Sequence, residues 1–391
     1  MKTIRRYEID WLRIILILSV FIFHIGAIFN TNEWHLKNST QYTEINKIMS
    51  FLHYWRMPML FFISGVGTYF ALGKRTIGKY IKERSARLLI PLLSGIILLV
   101  PVQVYIERIN QYSSVWDLYL HFFDGVYPRG NFSWHHLWFL VYLFLCSIII
   151  VPFIKYYKSE KSINFRNYIT KIVRSKFGLY LFVIPILLSQ LLLRPFFPIE
   201  THALVNDWAY FLMFFIYFIY GFILLSNAYY VKIIYYKRHG MMILSILSTI
   251  LMFLSPNLFH AQLAHIIWNI CSILLSWFLC ISIIGYAQTC LNIDNKLRKI
   301  GNEMIYPFYL LHQPVIIVLG YFIIKFEIND FLKFLMIIAS SFVFTVALYM
   351  LVVRQSKFLK LIFGVKKTIP LDLNLLKGKR RLFVQNIEKA S

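Results

Sequence analysis

Residues 8–24 read EIDWLRIILILSVFIFH. After Arg13 the stretch is apolar apart from Ser19 until it reaches His24. The following IGAIF prolongs it to the length a helix needs to cross roughly 30 Å of hydrocarbon. A charged group inside such a segment is expensive and calls for a protein partner or a wet cavity. At 100° per residue, Arg13 and His24 stand three turns plus about 20° apart, and Asp10 lies about 40° to the other side of His24. All three share one stripe, with about 16 Å of helix between Arg13 and His24.

The rest of the chain has the same character. Of 391 residues, 59% are hydrophobic, 18% aromatic and only 15% charged, against roughly 25% charged in soluble domains. This is a membrane protein. The formal charge of +24 does not mark a nucleic-acid binder, because the basic residues fall in short stretches between apolar runs and not on a soluble basic face. Cys146, Cys271, Cys280 and Cys290 show no metal-ligand spacing, and three lie within apolar runs where a thiol behaves as a small hydrophobe. No metal is expected. The first segment has no small-residue cleavage site after it and is expected to stay as an anchor.

Apolar runs near 11–30, 51–72, 87–107, 137–154, 178–193, 209–226, 241–257, 264–285, 304–325 and 331–353 predict an all-α polytopic protein of about ten transmembrane helices. The run over 178–193 is interrupted by Pro185, and that over 241–257 is short before Pro256. A cytoplasmic N-terminus places 32 of the 41 Lys and Arg in the inner segments 1–10, 73–87, 155–177, 227–240, 286–303 and 354–391. That bias predicts both termini inside. The expected organisation is one membrane domain over 1–353 and a basic cytoplasmic tail over 354–391, drawn to anionic lipid headgroups.

The candidate chemistry lies at both ends of this layout. His24 suits a general base, since a neutral imidazole titrates near working pH and can take a proton from an attacking alcohol; the competing reading is a hydrogen-bonded interior histidine, with Asp10 and Arg13 as interfacial anchors. In KERSARLLIPL, Arg84 and Arg87 are one turn apart at the inner start of the third helix. Two guanidiniums so spaced can embrace a phosphate, although basic residues at that position are routine. His312 sits midway along the ninth helix with Pro314 loosening the backbone just beyond, which makes it a cavity or core residue. Arg56 near the outer end of the second helix either holds an acidic acceptor or snorkels to headgroups. His136 and Trp138 open the fourth helix, where a Trp is ordinarily a belt anchor.

Together these residues resemble a known family. Arg13 with His24 after ten intervening residues, HYWRMPMLFFISG (53–65), Arg84 and Arg87 opening the third helix, HHLWFL (135–140) and YPFYLLHQP (306–314) stand in the order seen in the acyltransferase-3 family of integral membrane acyltransferases. IDWLRIILILSVFIFH (9–24) and EWHLKN (33–38) resemble more closely the branch containing the glucan biosynthesis protein C, a glucan succinyltransferase. The resemblance spans most of residues 5–353. It implies transfer of an acetyl or succinyl group from cytoplasmic acyl-coenzyme A to a hydroxyl of a glycan or other envelope acceptor, in a bacterial inner membrane. His24 would be the catalytic histidine, Arg13 its partner, Asp10 a further partner, and Arg84 and Arg87 the ligands of the coenzyme A phosphates. Arg56, His136, Trp138 and His312 would face substrate. A secondary transporter or glycan exporter is the alternative, because ten helices with Asp10, Arg13 and His24 inside would also line a proton-coupled path; a membrane scaffold is a third. Oligomeric state is not legible.

Overall fold

The computed structural model describes residues 6–73, 75–365 and 368, with the backbone of 379–380. Of the basic tail expected over 354–391, residues 354–365 and 368 and the backbone of 379–380 are described, and the rest lies outside the described residues. Each of the ten apolar runs is helical. In chain order the helices are α1 (Tyr7–Phe29), α2 (Thr43–Leu72), α3 (Ile77–Leu98), α4 (Val100–Glu107), α5 (Val115–Leu120), α6 (Trp138–Lys158), α7 (Ile163–Arg174), α8 (Gly178–Leu181), α9 (Val183–Leu193), α10 (Trp208–Leu224), α11 (Ala228–Leu258), α12 (Ala261–Cys290), α13 (Lys296–Ile323), α14 (Asp330–Ala347), which runs on as a π-turn over Leu348–Val353, and α15 (Lys357–Ile362). Strand pairing of named elements is confined, among the described residues, to Ile293–Asp294 antiparallel to Lys379–Arg380.

By length and composition, seven spans qualify to cross a membrane among the described residues, and an eighth joins them if the two arms Glu160–Arg174 and Gly178–Leu193, bent by 109°, are one span. The others are α10, apolar but 17 residues long, and α2, 30 residues long and interrupted by His53, Arg56, Ser64 and Thr68. The chain is an all-α, multi-pass membrane protein. Helix starts follow ordinary capping chemistry: the Asn295 side chain accepts from the Arg298 N–H at 2.8 Å to start α13, and Asp207 accepts from the Tyr210 N–H at 3.2 Å to start α10.

Two features of the interior position the site. The first is the crossing of α2 and α10. A Cβ on Gly65 would stand 2.0 Å from the Phe218 carbonyl oxygen, and one on Gly221 would stand 1.8 Å from that of Phe62. Each glycine lets the other backbone touch its own helix, as small residues do between membrane helices. The second is proline. Pro91, Pro101 and Pro314 lack the N–H that would bond the carbonyl four residues earlier. Each freed carbonyl is taken by a side chain: Arg87 O by the Tyr306 hydroxyl at 2.8 Å, Ile97 O by Tyr119 at 2.9 Å, and Leu310 O by His136 Nε2 at 3.0 Å.

α1 and α13 run side by side in the same direction. Arg13 meets Asn302 at one level, and about three turns further on His24 meets His312. At their starts Arg298, fully buried, donates to Asp10 and, at 2.7 Å, to Asp294, which ties α1, α13 and the connection before α13 together.

Candidate active site

A cavity of about 570 Å³ opens at the end of the bundle where α1, α3 and α13 start and α2 finishes. Four arginines line it, Arg13, Arg75, Arg84 and Arg87, with Glu83 among the lining residues. The turn from α2 to α3 ends at Thr76, whose hydroxyl accepts from the Lys79 N–H at 3.4 Å and starts α3. Arg84 then reaches back across the cavity and donates to Thr68 Oγ1 on α2 at 3.0 Å. The Arg87 guanidinium stands 5.8 Å from the centroid of the Tyr306 ring, and Arg75 pairs with Glu83 at 3.1 Å. Arg13 donates to Asn302 Oδ1 at 3.1 Å, with Asp10 3.6 Å away. Guanidiniums gathered in this way offer forked, charge-assisted hydrogen bonds to a phosphate or pyrophosphate.

At its deep end the cavity is lined by Tyr309, whose ring centroid lies 5.9 Å from that of His312. His312 in turn lies 5.3 Å from His24 and 5.5 Å from His136. Backbone carbonyls fix two of these rings. His312 Nδ1 pairs with the Tyr309 carbonyl at 2.7 Å, so that Nδ1 carries the proton, and Nε2 has no partner among the described residues. His136 Nε2 donates to the Leu310 carbonyl that Pro314 releases, which leaves Nδ1 as its unpartnered acceptor. His24 is half-buried on α1, stacks on Trp34 at 5.9 Å, and keeps its own Nδ1 buried and unpartnered among the described residues. Three imidazoles thus meet with basic nitrogens to spare where the arginine cavity ends. Restoring a helical N–H with Pro314→Ala is expected to leave the fold intact while slowing turnover, because the Leu310 carbonyl is then claimed by the helix and His136 loses its partner, an interaction worth about 1 kcal/mol. Wild-type kcat in this variant, measured beside its thermal unfolding, would show that the His136 orientation is immaterial.

The other sequence candidates are less uniform. Asp10 does not approach His24: it is bound by Arg298 and lies about 21 Å along α1 from the histidine. Trp138 is no belt anchor. It packs inward, with His202 stacked on it at 4.0 Å and Phe214 at 5.5 Å, and His136 beside it is buried. Arg56 does not snorkel. It is 5% exposed, its guanidinium carbon stands 3.3 Å from the centroid of the Phe23 ring, and its Nε and Nη1 have no hydrogen-bond partner among the described residues. Among the described residues no group of three or more His, Cys, Asp or Glu is placed to hold a metal ion.

Several residues that shape the site escaped the sequence reading. Asn302, Tyr306 and Tyr309, spaced i, i+4, i+7, form one face of α13, so their periodicity was there to be read. The outer carboxylates carried no such signal. Glu107 pairs with His35 and accepts from the Tyr127 hydroxyl at 3.1 Å, while Glu200 joins His53 at 2.8 Å to His202 at 2.6 Å. Burial raises the Glu200 carboxyl, but His53 and His202 outweigh it and hold the group well below the usual carboxylate range.

Residues 6–353 match the acyltransferase-3 model, described as an acyltransferase domain. Glucans biosynthesis protein C from Salmonella paratyphi B, from Salmonella heidelberg and from Salmonella enteritidis are each 26% identical to this chain over 162 residues, which is 40% of this chain and 41% of each relative. The aligned region thus spans about two fifths of the curated relatives' length. No solved structure matches. A family match over nearly the whole membrane domain agrees with the arrangement of the arginine cavity and the histidine group: the chain belongs to the acyltransferase-3 family of multi-pass membrane proteins.

Proposed function

We propose that this protein is an O-acyltransferase of a bacterial inner membrane, with ten crossings, both termini cytoplasmic and a basic cytoplasmic tail over 354–391, that moves an acyl group from cytoplasmic acyl-coenzyme A to a hydroxyl of an envelope glycan. The observation that carries the reading is the nearness of the arginine cavity to the histidines: Tyr309, which lines the cavity, has its ring 5.9 Å from that of His312, and His312 stands 5.3 Å from His24. Arg84 and Arg87 bind the donor phosphates, Arg13 helps neutralise them, and the pantetheine arm lies along the cavity with its thioester at the histidines. His24 takes the proton of the acceptor hydroxyl as the oxygen attacks the thioester carbonyl. The tetrahedral intermediate collapses with loss of the carbon–sulfur bond, and the proton leaves with the coenzyme A thiol. His312 and His136 position the reacting groups, and Trp138 lines the acceptor side. Arg56 holds an anionic part of a substrate, the free carboxylate of a succinyl group or of an acidic acceptor. Asp10 sets the start of α1 through Arg298 and touches no reacting atom. No metal takes part.

The test is to incubate purified protein with labelled acetyl- or succinyl-coenzyme A and a glycan, and to look for the ester. Absence of product with both donors across a range of acceptors would overturn the reading. Arg84→Ala and Arg87→Ala are each expected to raise KM for the donor by roughly 10- to 100-fold, the scale of one charge-assisted hydrogen bond, with a smaller change in kcat. An unchanged donor KM in both variants would move the phosphates elsewhere. Labelled glycan taken up by proteoliposomes without any coenzyme A would favour the transporter instead.

A further inference from the structure

A second cavity, of about 480 Å³, shares no lining residue with the arginine cavity. It lies at the opposite end of the bundle, where α9 finishes and α10 and α12 start. α2 serves both: Leu60, Ser64, Gly67 and Ala71 line the first cavity, whereas His53, Tyr54, Met57 and Pro58 line the second.

The walls of this second cavity divide by chemistry. One side is aliphatic, formed by Leu187 and Leu191 of α9 and Ile266, Ile270 and Ile273 of α12. Leu191 is 60% exposed and Ile266 47% exposed, and in a membrane protein these flanks face hydrocarbon, so the cleft opens sideways into the bilayer. Beyond the end of α9 the lining is polar and aromatic: Glu200 is fixed there by His53 and His202, and Arg194 lies 3.9 Å over the Tyr210 ring, while Asn269, paired with His265 at 3.0 Å, stands on α12 among the isoleucines. His202 holds a left-handed backbone, φ +52°, which a side chain other than glycine adopts at a cost of about 1 kcal/mol. Its ring is stacked on Trp138, two residues from His136, which touches His312. The polar end is therefore a built site, and it leads toward the histidine group.

We infer that this cleft binds an amphiphile with a polyhydroxyl head on a single hydrocarbon chain, the head at Glu200 and Arg194 and the chain between α9 and α12. Planar polar groups beside an aromatic face suit a sugar ring, and an aliphatic wall that runs about 10 Å along α12 would be left unfilled by a water-soluble sugar. The acyl-transfer reading is needed only to make this amphiphile the acceptor; the binding itself stands apart from it.

Full-length protein in phosphatidylcholine nanodiscs, with tritiated decyl β-glucoside as the probe, gives the test. Saturable binding above the partition into empty nanodiscs is expected, displaced by unlabelled decyl glucoside roughly 100-fold more effectively than by methyl glucoside, since most of the burial belongs to the chain. Ile270→Trp, which fills the cleft, and Glu200→Gln, which removes the ionised acceptor, are each expected to weaken binding by about tenfold or more. Monodispersity on size exclusion and the temperature of unfolding, measured on the same samples, certify that a variant is folded. No saturable binding overturns the inference. So does equal competition by methyl glucoside, or by decanol, which would mark the cleft as a groove for lipid tails. Wild-type affinity in both folded variants overturns it as well. Loss of coenzyme A binding in Arg84→Ala bears on the donor site alone, so failure of either reading is told apart from failure of the other.

Discussion

His24→Ala is expected to lower ester formation by about 10²- to 10⁴-fold, the contribution of a positioned general base, with little movement of the unfolding temperature. The stability expectation follows from the surroundings: His24 is half-buried, its Nδ1 bonds to nothing among the described residues, and its ring rests on Trp34 without a hydrogen bond to a neighbouring helix. The loss should fall on kcat, since Arg84 and Arg87, the proposed ligands of the donor phosphates, lie in the arginine cavity and His24 is not among its lining residues. His24→Gln, which keeps a polar side chain of similar reach but cannot carry the proton, should be nearly as slow. Radiolabelled ester formation at saturating donor, beside thermal unfolding of the same samples, separates the outcomes. A variant that turns over at the wild-type rate would move the base to His312 or His136, the rings His24 adjoins or reaches through His312.

Gly221→Val is expected to prevent assembly of the protein. A Cβ at 221 would stand 1.8 Å from the Phe62 carbonyl oxygen, and a backbone atom buried in a helix cannot rotate out of the way as a side-chain tip can. α2 and α10 would have to part, and with them the walls of both cavities. Overpacking of a core commonly destabilises by about 1–3 kcal/mol; a clash of two backbones belongs at or above the upper end. Gly65→Val, where the clash is 2.0 Å from Phe218 O, should behave alike. Gly67 supplies the contrast: nothing lies within 4 Å of a Cβ there, so Gly67→Ala should be stable or more stable by about 0.5–1 kcal/mol, the usual gain in a helix. Monodispersity on size exclusion and the temperature of unfolding read all three. A monodisperse, wild-type-stable Gly221→Val protein would mean that the crossing is looser than its geometry.

What could be read in advance was what lies along a single helix. The stripe of Arg13 and His24 follows from 3.6 residues per turn, and the structure keeps both on one side of α1, with Asn302 and His312 facing them from α13. Arg84 and Arg87 line one cavity for the same reason. What escaped was the pairing of one helix with another. Asp10 is close to Arg13 in sequence, yet Arg298, 288 residues away, donates to it. Trp138 and Arg56 sit where anchors usually sit, and only packing turns them inward. The effect of Pro314 was visible as a weakened helix; which side chain would take the freed carbonyl was not. The split of the bilayer-crossing set is of the same origin, because α2 gives up apolar residues for His53, Arg56, Ser64 and Thr68, and its depth in the bundle comes from neighbours that shield them.

α2 lines the arginine cavity with one half and the lateral cleft with the other. Occupants of the two cavities would therefore press on a common rod, pinned to α10 by two glycines and carrying Pro58 between its halves. A helix that yields to one occupant presents an altered wall to the other, and thermodynamic linkage makes the effect reciprocal: whatever factor bound coenzyme A applies to the affinity for the amphiphile, the amphiphile must apply to the affinity for coenzyme A. A substitution at Pro58 that changed the coupling would then change it equally in both directions, whichever ligand is bound first.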